Sequence, residues 1–301
     1  MIEILEPGPL TSVQDPVGRR GWRHLGVPVG GAADAWSARL ANRLVGNPED
    51  AALLEITLGG LVLTVDRPTR LALTGGLEAS GLPANEGRTV GAETTLQIEA
   101  ADGARGYLAV AGGVVVEPVL GSISTDLRTG FGGLEGRALR VGDRLEVGSP
   151  RGTAGRWSGR RESGPVRVVA GPHPDGFERL LAEWTVAVEA DRTGVRLDGP
   201  ALDPEGEVPS LGLPEGAIQV PPDGRPIVML ADRPVTGGYP VPACVIRADI
   251  GRVAQLRTGD RLTLASVSLE EARDALRRAE DQLAAIEAPE EDGLGWAGSH
   301  G

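Results

Sequence analysis

Leu-Arg-Val-Gly-Asp-Arg-Leu-Glu-Val at 139–147 and Leu-Arg-Thr-Gly-Asp-Arg-Leu-Thr-Leu at 256–264 differ at three of their nine positions. Three further pairs precede them in the same order. Asn47-Pro48 is matched by His173-Pro174-Asp175, TVDRPTRLALTG (64–75) by VEADRTGVRLDG (188–199), and LQIEAADGARGYLAVAGG (96–113) by IQVPPDGRPIVMLADRP (218–234). The spacing is kept as well, with 41 residues from Asp102 to Asp143 and 37 from Asp223 to Asp260. Ordered matches of this kind indicate an internal duplication, and two copies are too few for a solenoid. Each copy is long enough to close a barrel of its own.

The segments between these landmarks read as strands. LVLTV, RLALT, TLQIEA, GYLAVAGG, RLEV and PVRVVAG are short, apolar and separated by Gly, Pro, Asp or Asn. With 45 Gly and 23 Pro in 301 residues and only 3% aromatics, turns are frequent and aliphatic side chains must fill the interior. Helices are expected at 34–46, where Trp36, Leu40 and Leu44 share a face, and from Asn47-Pro48-Glu49-Asp50 through AALLEI. Another should start at His173-Pro174 and run through FERLLAEW. The last opens on the capping box Ser268-Leu-Glu-Glu271 and packs on the second barrel. The expected fold is thus mainly β with a few helices, in two tandem β-barrel units. Residues 1–150 form the first unit with an added N-terminal loop and helix, and 151–164, rich in Gly, Ser and Arg, form a linker. Residues 165–267 form the second unit, 268–288 a terminal helix, and 289–301 a disordered tail.

Composition removes several functions. The net charge is −12 and no basic run exceeds a pair, so a nucleic-acid surface is not expected. No secretory leader or membrane-length apolar run is apparent, which suggests a cytoplasmic protein. A lone cysteine, Cys244, and three histidines give no expectation of a structural metal. All 30 basic residues are arginine. No Walker A lysine, Schiff base or biotinyl-lysine can come from this chain, so any biotin must arrive on another one.

The densest polar segment is 14–34, which has no counterpart in the second half and gathers Gln14, Asp15, Arg19, His24 and Asp34 among glycines. It suits an anion or carboxylate site with Arg19 as the fork and Asp15 and His24 as candidate acid–base groups; it equally suits an ordered loop with internal Asp–Arg pairs. In the second half His173 is a candidate general base or a helix cap. Arg192 and Arg196 in DRTGVRL are a candidate carboxylate clamp, or partners of Asp191 and Asp198. Asp232, followed by Thr236-Gly237-Gly238-Tyr239, offers a carboxyl group, backbone amides and a polar aromatic wall. The groove between the 14–34 loop and this stretch is the expected site.

QDPVGRRGWRHLGVPVGGAAD (14–34) followed by LANRLVGNPEDAALLEITLGG (40–60) resembles the opening of the carboxyltransferase A/B family. The likeness continues through AVAGG (109–113), GSISTDLRTGFGGLEGRAL (121–139), GPHPDGF (171–177), RTGVRLDGP (192–200) and GAIQVPPDGRPIVMLAD (216–232). It runs on through VTGGYP (235–240) and VIRADIGRVAQLRTGD (245–260), covering about residues 3–265. The resemblance implies two cyclophilin-like β-barrel subdomains, in agreement with the duplication, and adds Gln219 to the candidate ligand-contacting residues. It implies work in a hetero-oligomer with two other proteins, the family's B component, similar to a sporulation-kinase inhibitor, and its A component. Together they hydrolyse the 5-oxoproline lactam to glutamate with ATP and Mg bound in the complex. The family alternatives are carboxyl transfer from biotin delivered in trans, as in urea carboxylase, or a non-catalytic regulatory partnership. Relatives often carry serine at the position of Asp191 and lysine at that of Val241, so contacts from those two side chains are not carried over.

Overall fold

The computed structural model describes residues 1–203 and 208–287; the expected tail at 289–301 lies outside them. The first unit contains β1 (Ile2–Pro7), β2 (Leu10–Gln14), α1 (Ala35–Leu44), β3 (Leu53–Thr57), β4 (Leu61–Val65) and β5 (Thr69–Gly75). It continues with β6 (Leu77–Ala79), β7 (Arg88–Val90), β8 (Thr95–Ala100), β9 (Arg105–Val110) and β10 (Arg144–Leu145). These strands form two five-stranded sheets, in the orders β10-β1-β4-β8-β6 and β2-β3-β9-β5-β7. Alternation along β1 and β4 sends Ile2, Ile4, Leu61, Leu63 and Val65 inward to meet Ile56, Leu71, Leu73 and Leu108 from the facing sheet.

The second unit contains β11 (Val166–Ala170), the one-turn helix α2 (Phe177–Leu180), β12 (Glu183–Ala190), β13 (Gly194–Asp198), β14 (Leu211–Gly212), β15 (Ala217–Gln219) and β16 (Ile227–Met229). It ends with β17 (Thr236–Gly237), β18 (Ala243–Val245), α3 (Ile250–Ala254) and β19 (Arg261–Ser266), followed by α4 (Leu269–Ala284). Seven strands close into a barrel, β11-β18-β15-β16-β13-β12-β19. Trp184, Val186, Leu197, Ile218, Val228 and Leu264 fill it. The architecture is mostly β, as expected.

The repeated motifs take the same neighbours only in part. β5 pairs antiparallel with β9, and β13 with β16, so two matched segments meet in the same way in each unit. The segments around Asp102 and Asp223 differ. β15 and β16 form a hairpin, with Ile218 opposite Val228, whereas β8 and β9 fall in different sheets. The first unit therefore has two open sheets around one core where the second has a closed barrel.

Three local expectations are corrected. The helix expected from Asn47 through Ile56 is strand β3, held between β2 and β9 with Leu53, Leu54, Glu55 and Ile56 all buried. Ladder bonds on both edges and burial on both faces outweigh the helical preference of Ala, Leu and Glu. Asn47 caps nothing: its side chain donates to the Val110 carbonyl at 2.8 Å and accepts from the Gly112 amide. The helix expected after His173 is only the single turn α2, because Trp184 is drawn into β12 and the barrel core.

Residues 151–164 are no free tether. Trp157 is buried among Leu40, Leu44 and Leu283, and its ring meets that of Trp36 edge-on at 5.1 Å. α4 does begin on the capping box, with Ser268 accepting from the Glu271 amide and the Glu271 carboxylate accepting from Ser268. It lies across α1 as well as the second barrel: Leu283 joins the α1 core, and Trp36 Nε1 donates to Ala279 O at 2.9 Å. The helix thereby staples the two units together.

Candidate functional site

The 15–34 loop is built from its carboxylates. Asp15 is buried and accepts from Ser122 Oγ (2.5 Å) and from the amides of Gly18, Ile123, Val17 and Ser124. Burial pushes its carboxyl up, but these bonds, led by that of Ser122, outweigh burial and hold it below the ordinary 3.8. All its capacity is spent on shaping the loop, so the acid–base role expected for Asp15 gives way to an anchoring one. At the far end Asp34 caps α1 through Ser37 and also binds Arg161 (2.6 Å) and Gln255 (3.0 Å). It is fully buried and not open to a ligand. Between these ends Arg23 reaches the second unit, donating to Leu213 O at 2.8 Å and Val235 O at 3.0 Å. The loop is thus pinned to both units.

Beneath it runs a buried ion network. Arg192 donates twice to Asp232, from Nε to Oδ2 at 2.8 Å and from Nη2 to Oδ1 at 2.9 Å. Its other contacts are the Glu55 carboxylate of β3 and the Gly31 carbonyl. Glu55 also accepts from the Ala33 amide at 2.8 Å and lies 3.9 Å from Arg105 Nε. Burial disfavours the Arg192 charge, yet Glu55 and Asp232 overcome that and raise its pKa. Burial pushes the Asp232 carboxyl above its ordinary range against the opposing pull of Arg192; Glu55 and Asp126 push it further up.

Arg19 stands opposite Asp232. It is 1% exposed, stacks its guanidinium 4.5 Å from the Phe131 ring centre and donates from Nη2 to the Ser124 carbonyl. Its Nε and Nη1 take no hydrogen bond among the described residues. Gly30 (φ +63°) forms the floor between the two groups. A β-carbon there would lie 3.6 Å from Arg19 Nη1 and 3.8 Å from Asp232 Oδ1, with no other heavy atom of the fold in contact. Leaving a buried guanidinium with free donors costs on the order of 1–3 kcal/mol or more. The fold tolerates that cost where a ligand can take the donors, and a carboxylate or carbonyl has the acceptors for it.

The remaining expected residues disperse. Gln14 is fully buried and donates to Ser12 Oγ and Thr125 O. His24 is exposed on the 3-10 turn Arg23–Leu25, its Nδ1 3.0 Å from Gly21 O. Arg196 turns outward to Asp223 at 2.6 Å, because alternation along β13 puts it on the face away from the core, so the pair with Arg192 is no clamp. Arg196 does not pair with Asp198, which binds Arg225, and Asp191 turns back onto its own loop amides. His173 caps no helix: its Nδ1 accepts from the Val241 amide at 3.2 Å, and it lines a cavity whose walls exclude Asp232. Gln219 is buried under Gly237 and reaches Tyr239 O at 3.5 Å. Thr236 and Gly237 pair with Gly212 and Leu211, and Gly238 O accepts from the Val208 amide. Thr236 and Tyr239 remain exposed beside the Arg23 anchor.

Sequence patterning does not single out Glu55, Arg105 or Glu215. A helical reading of 47–56 hides Glu55, and Arg105 sits in an otherwise unremarkable strand. Glu215 is pushed toward its neutral form by burial, against Arg233, Arg247 and Arg192, with Asp232 adding to the rise. The available signal is Glu55 itself, a single acid within the apolar run LLEI.

The chain builds its candidate site at the seam of two β-units, from arginines and raised carboxyl groups. It belongs to the family of the carboxyltransferase domain, subdomain A and B, whose pattern matches residues 25–266, and this bears out the resemblance read from the sequence. It is similar to the C subunit of 5-oxoprolinase from Escherichia coli (strain K12), at 40% identity across 94% of this chain and 95% of that one. Similarity to the Haemophilus influenzae protein of the same name is 36%, across 94% and 96%. Among solved structures, K. lactis urea amidolyase matches with a TM-score of 0.84 and 30% identity, over 94% of this chain. This chain spans 20% of that larger one.

Proposed function

We propose that this chain is the C subunit of a multisubunit 5-oxoprolinase, opening the 5-oxoproline lactam to glutamate only together with partner proteins. The observation that carries the reading is the buried Arg19 guanidinium, with two free donors facing a raised Asp232 carboxyl across Gly30. Arg19 holds the substrate carboxylate. Asp232, positioned by Arg192, supplies a proton to the lactam nitrogen as water adds to the ring carbonyl and the C–N bond breaks, and the proton released by that water restores Asp232. The similarity at matched length to proteins named as the C subunit of 5-oxoprolinase supports the choice of reaction.

The nucleotide is assigned to the partners. Among the described residues no group of three or more His, Cys, Asp or Glu could hold a metal, and the chain has no lysine. No step here runs through Mg–ATP. Biotin-dependent carboxyl transfer is the second reading, favoured by the structural match to urea amidolyase. The A and B components of 5-oxoprolinase are the expected partners, and the cytoplasm the expected location; among the described residues no helix is long and apolar enough to cross a membrane.

The test is glutamate formation from 5-oxoproline and ATP by this chain mixed with candidate A and B components. Each protein alone should be inactive. Full activity of the two partners without this chain would overturn the proposal, and activity only with carboxybiotin and urea would select the second reading.

A further inference from the structure

His173, left unused by the site above, lines a separate cavity of about 350 Å3 at one end of the second barrel. Its lining includes the apolar residues Leu202, Val208, Val220, Pro240 and Pro242. It also includes the polar and charged residues His173, Asp175, Arg179 and Asp203. The histidine is fixed from both sides. Its backbone amide donates to Val241 O and its Nδ1 accepts from Val241 N, each at 3.2 Å. An Nδ1 that accepts a hydrogen bond carries no proton, so the ring proton sits on Nε2. His173 thus offers a donor, not a base. Arg179 is exposed, and among the described residues neither it nor Asp175 or Asp203 is held in an ion pair.

We propose that this cavity is a binding site for a free α-amino acid with an aliphatic side chain. Arg179 and His173 Nε2–H face the carboxylate, Asp175 and Asp203 the ammonium group, and the apolar lining residues the side chain. A ligand bearing both charged groups on one carbon and an apolar body satisfies all three surfaces; a simple anion would leave two carboxylates opposed to it. The site is independent of the Arg19–Asp232 constellation, since its lining includes neither residue.

The test is calorimetric titration of the full-length chain with L-leucine, N-acetyl-L-leucine and L-leucinamide. Saturable binding of L-leucine is expected, weakened at least tenfold for both blocked analogues. Arg179→Met, an exposed position whose replacement spares the core, should weaken it as much, while Arg19→Met should not. Absence of L-leucine binding overturns the proposal, as does equal binding of the blocked analogues. So does a loss that follows Arg19→Met rather than Arg179→Met.

Discussion

The carboxylate of Glu55 on β3 and the guanidinium of Arg192 on the β12–β13 turn form a buried ion pair that crosses from one β-unit to the other. Arg192 in turn grips Asp232 with two bonds, so the first unit fixes the position of a carboxyl group that belongs to the second.

Glu55→Gln keeps the shape of this bridge and removes its charge. Breaking a buried pair on one side costs about 3 kcal/mol or more. The same change removes one of the negative charges that raise Asp232. Besides Glu55, the charged groups around Asp232 are Arg192, Arg19, Arg233, Asp126 and Glu215. Without Glu55 the Asp232 pKa should fall, moving the alkaline limb of the pH–activity profile of the assembled enzyme, where the proton donor is lost, to lower pH. A limb that stays in place in an active variant would show that Glu55 does not act on Asp232.

Arg19→Met should separate activity from stability. Methionine fills the space beside Phe131 without a buried charge, at the loss of a single bond to Ser124. The melting temperature should therefore hold or rise. Losing a charge-assisted contact of roughly 1.5–3 kcal/mol should lower kcat/KM about tenfold to a hundredfold. A folded variant with normal turnover would remove Arg19 from the site.

Asp15→Asn tests the loop anchor by its pH dependence. The native carboxyl lies below its ordinary 3.8, so its stabilisation is present above that value and is lost as pH falls through the folded pKa. The variant should be less stable by about 2–3 kcal/mol at pH 7 in urea unfolding, and the gap should shrink toward pH 3. An equal gap at both pH values would mean that the charge is irrelevant.

Ser268→Ala removes half of the capping box that starts α4. The expected loss is about 1 kcal/mol. Leu283→Ala, at the other end of the same helix, leaves a cavity in the α1 core and should cost about 2–5 kcal/mol. Thermal unfolding of the two variants would check the order, and a larger effect at Ser268 would deny the helix its stapling role.

The sequence by itself determined whatever depends on near neighbours. The strand periodicity of LVLTV and TLQIEA, the α1 face of Leu40 and Leu44 and the Ser268–Glu271 box each lie within a single element, and each formed as read. The missing lysine and the family likeness are equally local to the text of the chain. What only tertiary structure decided depends on partners far along it. β3 is a strand because β2 and β9 flank it on both edges, and residues 54–57 meet residues 105–108 across a gap that no local preference spans. The site follows the same rule. Arg19, Glu55, Arg192 and Asp232 converge only when the two units dock, and their protonation then answers to burial and to one another's charge. Asp15 and Asp34, equally polar in sequence, are consumed by the loop because they meet backbone amides and hydroxyls first. Which polar residues stay free for a ligand is set by which hydrogen bonds the fold has already made.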